Sequence, residues 1–294
     1  MGYDEILGVG RKRLKESSVA ICSIVRDCNA NLTRNIPVVE KLRVLCGESK
    51  VIVFENDSID GTKQTLLNWQ QQSNGVAVTT EDYNQQTIPS SNKGVNRFFS
   101  ASRIGKMAGF RNKYLEQLEQ LNWEPDFVII IDLDIKQFSI EGILHSIGLA
   151  DYWDVVTAFG YAKSLFGGLD YYDTYALAEL GDEYLSQTEQ SIDRYQSKWG
   201  NLNKDMPLMA VYSAYGGLSI YKYQAIKNCR YSVVSNDDDR VEVRCEHFSL
   251  CQQIRDKGFD RIFVNPGMQL KYQGVNIDKL IRFIKRDVLR LSMK

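Results

Sequence analysis

The stretch Phe127-Val128-Ile129-Ile130-Ile131-Asp132-Leu133-Asp134 decides the fold. Its unbroken apolar run, rich in β-branched residues, predicts a strand buried on both faces, and two acids follow directly. Helical patterns separate the early runs of this kind, so the sequence predicts an α/β fold with a mostly parallel central sheet and helices on both faces. The other apolar runs are Val19–Val25, Val51–Phe54, Val76–Val78, Val155–Phe159, Leu218–Tyr221 and Arg261–Val264.

Apolar residues at helical spacing predict three helices. The first begins near Asp60, which is a candidate N-cap, and the others cover Ser102–Leu121 and Glu246–Lys257. Two segments lack such periodicity. The polar stretch Asp82–Phe98 is interpreted as a long loop, and Tyr161–Pro207, rich in Tyr and Asp, as an irregular region.

Composition excludes several classes of protein. Lys and Arg number 36 against 37 Asp and Glu, so no basic excess favours nucleic acid as a partner. Only 2 histidines are present, which excludes a His-rich zinc site, and the 6 cysteines lack paired spacing and are expected to be free thiols. With neither a signal peptide nor an apolar segment of about 20 residues, a complete chain is expected to be cytoplasmic.

The acids that follow the central strand predict a metal site. Residues two apart in an extended strand face the same side, so Asp132 and Asp134 repel each other unless a cation lies between them. Carboxylate oxygens suit Mn²⁺ or Mg²⁺, and Mg²⁺ is often shared between carboxylates and substrate phosphates. The alternative is a strand end that carries two solvated acids.

Polar residues also follow the first two strands, at the same edge of the predicted sheet. Arg26 follows the first strand, and Glu55, Asn56 and Asp57 follow the second. In a doubly wound sheet this is where a ribose and a base bind. A carboxylate there accepts hydrogen bonds from ribose hydroxyls, and an amide pairs with a base edge. The alternative is an ordinary strand, turn and capped helix.

These features resemble a known class of enzyme. Val53-Phe54-Glu55-Asn56-Asp57-Ser58-Ile59-Asp60-Gly61-Thr62 is similar to the strand-turn-helix signature of type A fold glycosyltransferases. The chain departs from that signature at Asn56, where many members have a second acid, and at Asp57, where they have Gly. Asp132-Leu133-Asp134 matches their Asp-x-Asp metal motif. The resemblance implies a nucleotide-sugar donor bound with a divalent cation.

A narrower resemblance is to the fungal capsule-associated α-1,3-mannosyltransferases. Arg103-Ile104-Gly105-Lys106-Met107-Ala108-Gly109-Phe110-Arg111-Asn112-Lys113-Tyr114-Leu115 looks like their Arg-Ile…Ala…Arg-Asn…Leu helix. The Glu246…Cys251 spacing and Val264-Asn265-Pro266…Tyr272 are also similar. The resemblance implies GDP-mannose as donor and retention of configuration, with Arg103, Arg111 and Asn112 reaching the diphosphate or the sugar. Without the resemblance, Arg111 is interpreted as a surface arginine on an amphipathic helix. The fungal proteins are membrane-anchored, whereas no anchor is expected in this chain.

In the second half, Gly216-Gly217 precedes a strand, where glycines allow close approach of the backbone to a donor sugar. Type A fold enzymes have an acidic pair where this chain has Glu246-His247. Glu246 is the favoured catalytic base, and His247 is the alternative base or a metal ligand. Without the resemblance, the first pair is a turn before a strand, and the second is a helix start stabilised by the helix dipole.

The whole chain, residues 1–294, is interpreted as one domain. It divides into an N-terminal extension (1–17), a nucleotide-binding half (18–135), an acceptor-binding half (136–275) and a C-terminal amphipathic helix (276–294). Within the last, residues 277–294 either pack on the domain or lie on an anionic membrane surface.

The leading hypothesis is metal-dependent transfer of a sugar from a nucleotide-sugar donor to a hydroxyl of a glycan or a lipid-linked acceptor. A nucleotidyltransferase that makes sugar nucleotides is an alternative, but the first strand lacks the glycine-rich loop it should carry. A non-catalytic nucleotide-sugar-binding module of the same fold is the second alternative. A P-loop enzyme is excluded because its glycine-rich motif is missing.

Overall fold

A computed structural model of the chain describes residues 2–90, 94–164 and 168–275. The helices and strands are, in order, α1 (Tyr3–Lys15), β1 (Ser18–Val25), α2 (Asn29–Arg43), β2 (Glu48–Asn56), α3 (Thr62–Gln72), β3 (Val76–Glu81), α4 (Ala101–Gln120), β4 (Phe127–Ile131), β5 (Gln137–Phe138), α5 (Ile140–Gly148), β6 (Val155–Lys163), β7 (Leu169–Tyr171), α6 (Glu189–Lys198), β8 (Met209–Ala210), β9 (Leu218–Lys222), α7 (Tyr223–Ile226), α8 (Glu246–Asp256) and β10 (Ile262–Val275).

The strands form one mixed sheet in the order β3-β2-β1-β4-β9-β6-β10-β5, with β7 paired to β6 and β8 to β10. β1, β2, β3 and β4 are parallel to one another. β9 is antiparallel to both β4 and β6, so β6 and its parallel neighbour β10 run in the same direction as β4. The predicted α/β class and mostly parallel sheet are confirmed, and the carboxyl ends of the long strands lie along one edge.

Alternation along β1 shows how the sheet buries both faces. Ala20 and Cys22 belong to a core with α4 and α8, whereas Val19 and Ile21 belong to a second core with α1, α2, α3 and α5. Successive side chains of a strand point to opposite faces, so a strand covered on both sides must be apolar throughout. The predicted helices on both faces are therefore confirmed.

Two local predictions were wrong. The N-cap position of α3 is Gly61, with φ +90°, and not Asp60. Asp60 still stabilises the helix start from one position earlier, because its Oδ1 accepts hydrogen bonds from Thr62 N and Oγ1 at 3.1 and 2.6 Å. The segment 161–207 is not irregular throughout. It contains the end of β6, β7 and α6, and α6 begins with a capping box at Thr188.

The structure describes the N-terminal segment and not the C-terminal one. Residues 1–17, predicted as an extension, contain α1, which packs closely on α5: a Cβ on Gly10 would lie 1.8 Å from the Leu144 carbonyl oxygen. The amphipathic segment 277–294 lies outside the described residues. All 6 cysteines are free, as predicted. Within the described ranges, no helix is both long and apolar enough to span a bilayer.

Candidate active site

A cleft opens at the carboxyl edge of the sheet, between the start of α8 and the middle of α4. It encloses a cavity of about 270 Å³. Residues that follow β1, β2 and β4 line one part of it, and residues from the β7–α6 and β9 regions line the other. Its walls consist of Ile24, Val25, Arg26, Asn56, Thr87, Arg103, Met107, Phe110, Arg111, Asp132, Asp134, Tyr172, Asp173, Tyr175, Tyr215, Cys245, Glu246, His247 and Tyr272.

Asp132 is the most heavily hydrogen-bonded carboxylate of the cleft. Its Oδ1 accepts from Tyr215 OH at 2.7 Å and from Arg111 Nη2 at 3.3 Å, and its Oδ2 accepts from Tyr272 OH at 3.4 Å. Its backbone N donates to Gly217 O at 3.0 Å. Burial raises the pKa of Asp132, while Arg111 and the Tyr215 hydroxyl oppose that rise. Oδ1 is saturated with donors, so Oδ2 is the oxygen with room for another ligand.

Asp134 stands exposed at the cleft, in contrast to Asp132. Among the described residues, no side chain donates a hydrogen bond to its carboxylate. Although the residue is exposed, the walls of the cleft desolvate its carboxylate; this desolvation and the repulsion from the nearby Asp132 carboxylate raise the pKa of Asp134. A carboxylate with few partners beside a second carboxylate can accept a cation.

Helix α2 holds the Asp-Leu-Asp turn in place. Asn35 is 1% exposed, and its Nδ2 donates to the carbonyl oxygens of Leu133 and Ile135, both at 2.9 Å. Asn31 Nδ2 donates to the Asp134 carbonyl oxygen. These bonds satisfy the carbonyls at the end of β4 and fix the direction of both acids.

Arg111 and Glu246 form a buried ion pair behind Asp132. Arg111 Nε donates to Glu246 Oε1 at 2.9 Å, and the two side chains are 4% and 5% exposed. Burial alone would raise the pKa of Glu246, but the positive charges of Arg111 and Arg103 outweigh it and lower that pKa to about 2. Glu246 is therefore ionised, and its charge is committed to Arg111.

His247 faces the cleft without a hydrogen bond. Its ring stacks on Tyr215 with centroids 3.8 Å apart and an interplanar angle of 13°. Neither ring nitrogen has a hydrogen-bond partner among the described residues, and Nε2 lies 3.8 Å from Glu246 Oε1. Burial and then the Arg111 charge lower the pKa of His247 well below its ordinary value, so the imidazole is neutral. A neutral imidazole has one free acceptor nitrogen.

The structure brings most of the predicted site residues together. Arg26, Asn56, Arg103, Arg111, Asp132, Asp134, Glu246 and His247 all line the cleft. Arg111 is not the surface arginine that an amphipathic helix would carry. It belongs to the buried side of α4, in line with Ala108 and Leu115.

The other predicted residues lie around the cleft without lining it. Glu55 is fully buried, with Oε1 accepting from Ser58 N at 2.8 Å, and Asp57 lines an adjoining surface depression with Arg26. Asn112 exchanges hydrogen bonds with the backbone of Tyr231.

The two glycines allow different close contacts: a Cβ on Gly217 would lie 3.0 Å from the ring of Tyr272, and Gly216 approaches the neighbouring strand. Gly216 and Gly217 have φ values of +68° and +83°. A Cβ on Gly216 would lie 2.1 Å from the Ala158 carbonyl oxygen, which shows that the backbone it approaches is that of β6.

Sequence reasoning missed Tyr172, Asp173 and Tyr175. Asp173 Oδ2 accepts from Gly216 N at 3.0 Å, and Tyr172 stacks on Tyr272 with centroids 4.0 Å apart. Burial raises the pKa of Asp173 to about 7, against the lowering effect of the Gly216 N–H. The one signal in the sequence was the abundance of Tyr and Asp in this region, which does not single out a residue.

No cluster of three or more His, Cys, Asp and Glu side chains suited to a metal ion occurs in the described parts of the chain. Asp132 and Asp134 supply two carboxylates. The arrangement therefore suits a cation that takes its remaining ligands from water or from a bound substrate.

Comparison with known proteins defines the class. The family described as Cryptococcal mannosyltransferase 1 matches residues 18–253, which include every strand from β1 to β9 and the start of α8. No curated relative matches the chain. The family match, together with the sheet and the cleft, places the chain in a class of glycosyltransferases and gives it an α/β fold. Within that class, it belongs to the Cryptococcal mannosyltransferase 1 family.

Several solved structures are similar at low identity. Mannosyltransferase PcManGT from Pyrobaculum calidifontis, in complex with GDP-Man and Mn²⁺, is 13% identical over 92% of this chain and 65% of its own, with a TM-score of 0.45. S. aureus TarS 1-349 is 14% identical over 86% and 59%, with a TM-score of 0.46. Glucosyl-3-phosphoglycerate synthase from Mycobacterium tuberculosis is 13% identical over 93% and 77%, with a TM-score of 0.47. The chain spans less than two thirds of the first two.

Proposed function

We propose that this glycosyltransferase transfers mannose from GDP-mannose to a hydroxyl of a glycan or a lipid-linked acceptor, with Mn²⁺ or Mg²⁺ at Asp132 and Asp134. The observation that carries the proposal is the position of the two acids. They lie at the end of the central strand β4, in a cleft that also contains Arg26 and Arg103. The family description supports mannose as the sugar, and the resemblance to fungal mannosyltransferases supports guanosine diphosphate as its carrier.

The donor set fits a hard divalent cation. Asp134 offers a carboxylate to which no described side chain donates, and Asp132 offers Oδ2, whose one hydrogen bond among the described residues is from Tyr272 OH at 3.4 Å. Two carboxylate oxygens suit Mg²⁺ or Mn²⁺, which fill their other positions with water and phosphate oxygens. When bound, the cation would act as a Lewis acid that stabilises charge on the leaving diphosphate.

The three arginines of the cleft have different roles. Arg111 is held by Asp132 and Glu246, so it positions Asp132 and is not free for the substrate. Arg26 and Arg103 also line the cavity. Arg26 lies 3.6 and 3.7 Å from the carboxylates of Asp27 and Asp57, so these pairs are longer than the 2.9 Å pair of Arg111, and its side chain is 31% exposed. We assign the diphosphate to Arg26 and Arg103, because a guanidinium pairs well with phosphate oxygens. Asn56, at the end of β2, is assigned to the nucleoside.

Glu246 is not suited to be the catalytic base that the sequence favoured. Its carboxylate is bound by Arg111, and its pKa of about 2 makes it a weak proton acceptor. We therefore assign it a positioning role. His247 has the unpaired nitrogens and the position in the cleft that a contact with the acceptor requires.

The test is nucleotide release from a panel of GDP-mannose, GDP-fucose, UDP-glucose and UDP-N-acetylglucosamine, with Mn²⁺ and with EDTA. We expect GDP to be released from GDP-mannose in the presence of Mn²⁺ and not in EDTA. We expect Asp134→Asn to abolish this release. Asp205→Asn, an exposed acid outside the cleft, is the matched control and should behave as the wild type. Equal GDP release with EDTA would refute the requirement for a metal ion. Failure to bind or cleave any donor would refute the transferase proposal.

A further inference from the structure

The cleft contains a carboxylate that the proposed function leaves without a role. Asp173 lies on the loop after β7 and lines the cavity. Its one hydrogen bond among the described residues is from Gly216 N to Oδ2, at 3.0 Å. Asp132 and Glu246, by contrast, are each paired with Arg111. Asp173 is thus held in direction by a backbone donor while Oδ1 stays available.

An aromatic pair stands beside this carboxylate. Tyr172 and Tyr272 stack with an interplanar angle of 17°, and both line the cavity while remaining partly exposed. Tyr272 OH also reaches Asp132, so the pair spans the space between the metal carboxylates and Asp173. An aromatic face packs against the C–H side of a sugar ring, and a carboxylate accepts hydrogen bonds from ring hydroxyls.

The sheet order places this group opposite the donor side. Asn56 is the last residue of β2, Arg26 follows β1, and the Asp-Leu-Asp turn follows β4. Asp173 is bonded to Gly216, just before β9, on the far side of β4 in the order β2-β1-β4-β9-β6. A donor whose nucleoside lies over β1 and β2 and whose diphosphate lies at β4 leaves the β9 and β6 side to the second substrate.

We propose that Asp173 binds the attacking hydroxyl of a sugar acceptor, with the Tyr172–Tyr272 pair as the surface on which the acceptor ring rests. The proposal rests on the proposed function, and it names the acceptor class as a carbohydrate whose reactive group is a ring hydroxyl. Asp173 orients that hydroxyl toward the sugar of the donor.

The test separates donor binding from transfer. Asp173→Asn keeps the shape of the side chain and removes the charge. Mn²⁺ with GDP-mannose would be the donor probe, and methyl α-D-mannoside and α-1,3-mannobiose would be the acceptor probes. We expect the donor Kd to stay within about 2-fold of the wild type, and kcat/KM for the acceptor to fall about 10- to 100-fold, as for loss of one charged hydrogen bond. Asp205→Asn is the control.

Tyr172→Ala tests the ring surface. We expect a higher KM for the acceptor, with little change in donor hydrolysis in its absence. Tyr152→Ala, which removes a tyrosine that is 61% exposed outside the cleft, is the control. Together the two cleft variants should impair use of the acceptor and spare the donor.

Three results would overturn the proposal. The first is full transfer by Asp173→Asn. The second is a loss of donor affinity in that variant as large as its loss of kcat/KM for the acceptor. The third is a wild type that binds GDP-mannose while neither acceptor probe is glycosylated or alters GDP release. A wild type that binds no sugar nucleotide in Mn²⁺ is a different result, because it refutes the proposed function and the acceptor site with it.

Discussion

Arg111 Nε lies 2.9 Å from Glu246 Oε1, and both side chains are buried in the wall of the cleft. Arg111 also donates to Asp132, so one guanidinium offsets two carboxylates. An isolated buried charge costs several kcal/mol, so each member of this group requires the others. The network fixes Asp132 at the end of β4 before any ligand binds.

Replacing Arg111 should therefore destabilise the whole domain. We expect Arg111→Met to lower the free energy of unfolding by about 3 to 5 kcal/mol, because it leaves two buried carboxylates unpaired. Urea unfolding followed by circular dichroism measures this. Arg230→Met removes a partly exposed pair with Glu119 and should cost about 1 kcal/mol or less. Similar losses in the two variants would show that the buried network contributes little.

Asn35 should control the affinity for the metal from outside the cleft. Its side chain holds the carbonyls of Leu133 and Ile135, between which Asp134 stands. We expect Asn35→Ala to weaken Mn²⁺ binding about 10- to 100-fold, as for groups that orient metal ligands. Calorimetric titration with Mn²⁺ would measure it, with Asn68→Ala on the exposed face of α3 as control. Unchanged Mn²⁺ affinity in Asn35→Ala would contradict this role.

Asp173 should make stability depend on pH. Burial raises its pKa from 3.8 to about 7, so between these values the folded state binds the proton more strongly than the unfolded state. Stability from this group is complete below pH 4 and is lost as the pH rises to about 7. Relative to Asp173→Asn, the wild type should lose up to about 4 kcal/mol across that window. Urea unfolding in EDTA at several pH values tests this, and a constant difference would contradict it.

Gly216 should tolerate no side chain. Its positive φ disfavours other residues by about 1 kcal/mol, and a Cβ would lie 2.1 Å from the Ala158 carbonyl oxygen. Gly181 also has a positive φ, +98°, but nothing lies within 4 Å of its Cβ position. We expect Gly181→Ala to cost about 1 kcal/mol in urea unfolding and Gly216→Ala at least about 2 kcal/mol more. Equal costs would show that β6 moves away without penalty.

The fold and half of the site could be predicted because periodicity and strand ends are local signals. The apolar run before Asp132 required a strand buried on both faces, and the acids that follow such strands gather at one edge. Arg111 could have been recognised as buried, since it is three residues after Ala108 and four before Leu115 on the covered side of α4.

The rest of the site could not be predicted, because it depends on contacts between segments that are distant in the sequence. Asp173 enters the cleft because Gly216, over 40 positions later, donates to it, and Tyr172 meets a partner at Tyr272. Glu55 looked like a ribose ligand after β2, yet its carboxylate turns inward to the Ser58 N–H. The spacing of residues in the sequence does not predict these contacts, because they depend on which segments the sheet order brings together.

The central claim is that Asp132 and Asp134 bind a nucleotide sugar through a divalent cation. Calorimetric titration of GDP-mannose into the protein, with Mn²⁺ and with EDTA, tests it most directly when Asp134→Asn is titrated alongside. We predict binding by the wild type in Mn²⁺, none in EDTA, and a loss of at least about 10-fold in affinity in the variant. Equal binding under all of these conditions, or none by the wild type in Mn²⁺, would contradict the claim.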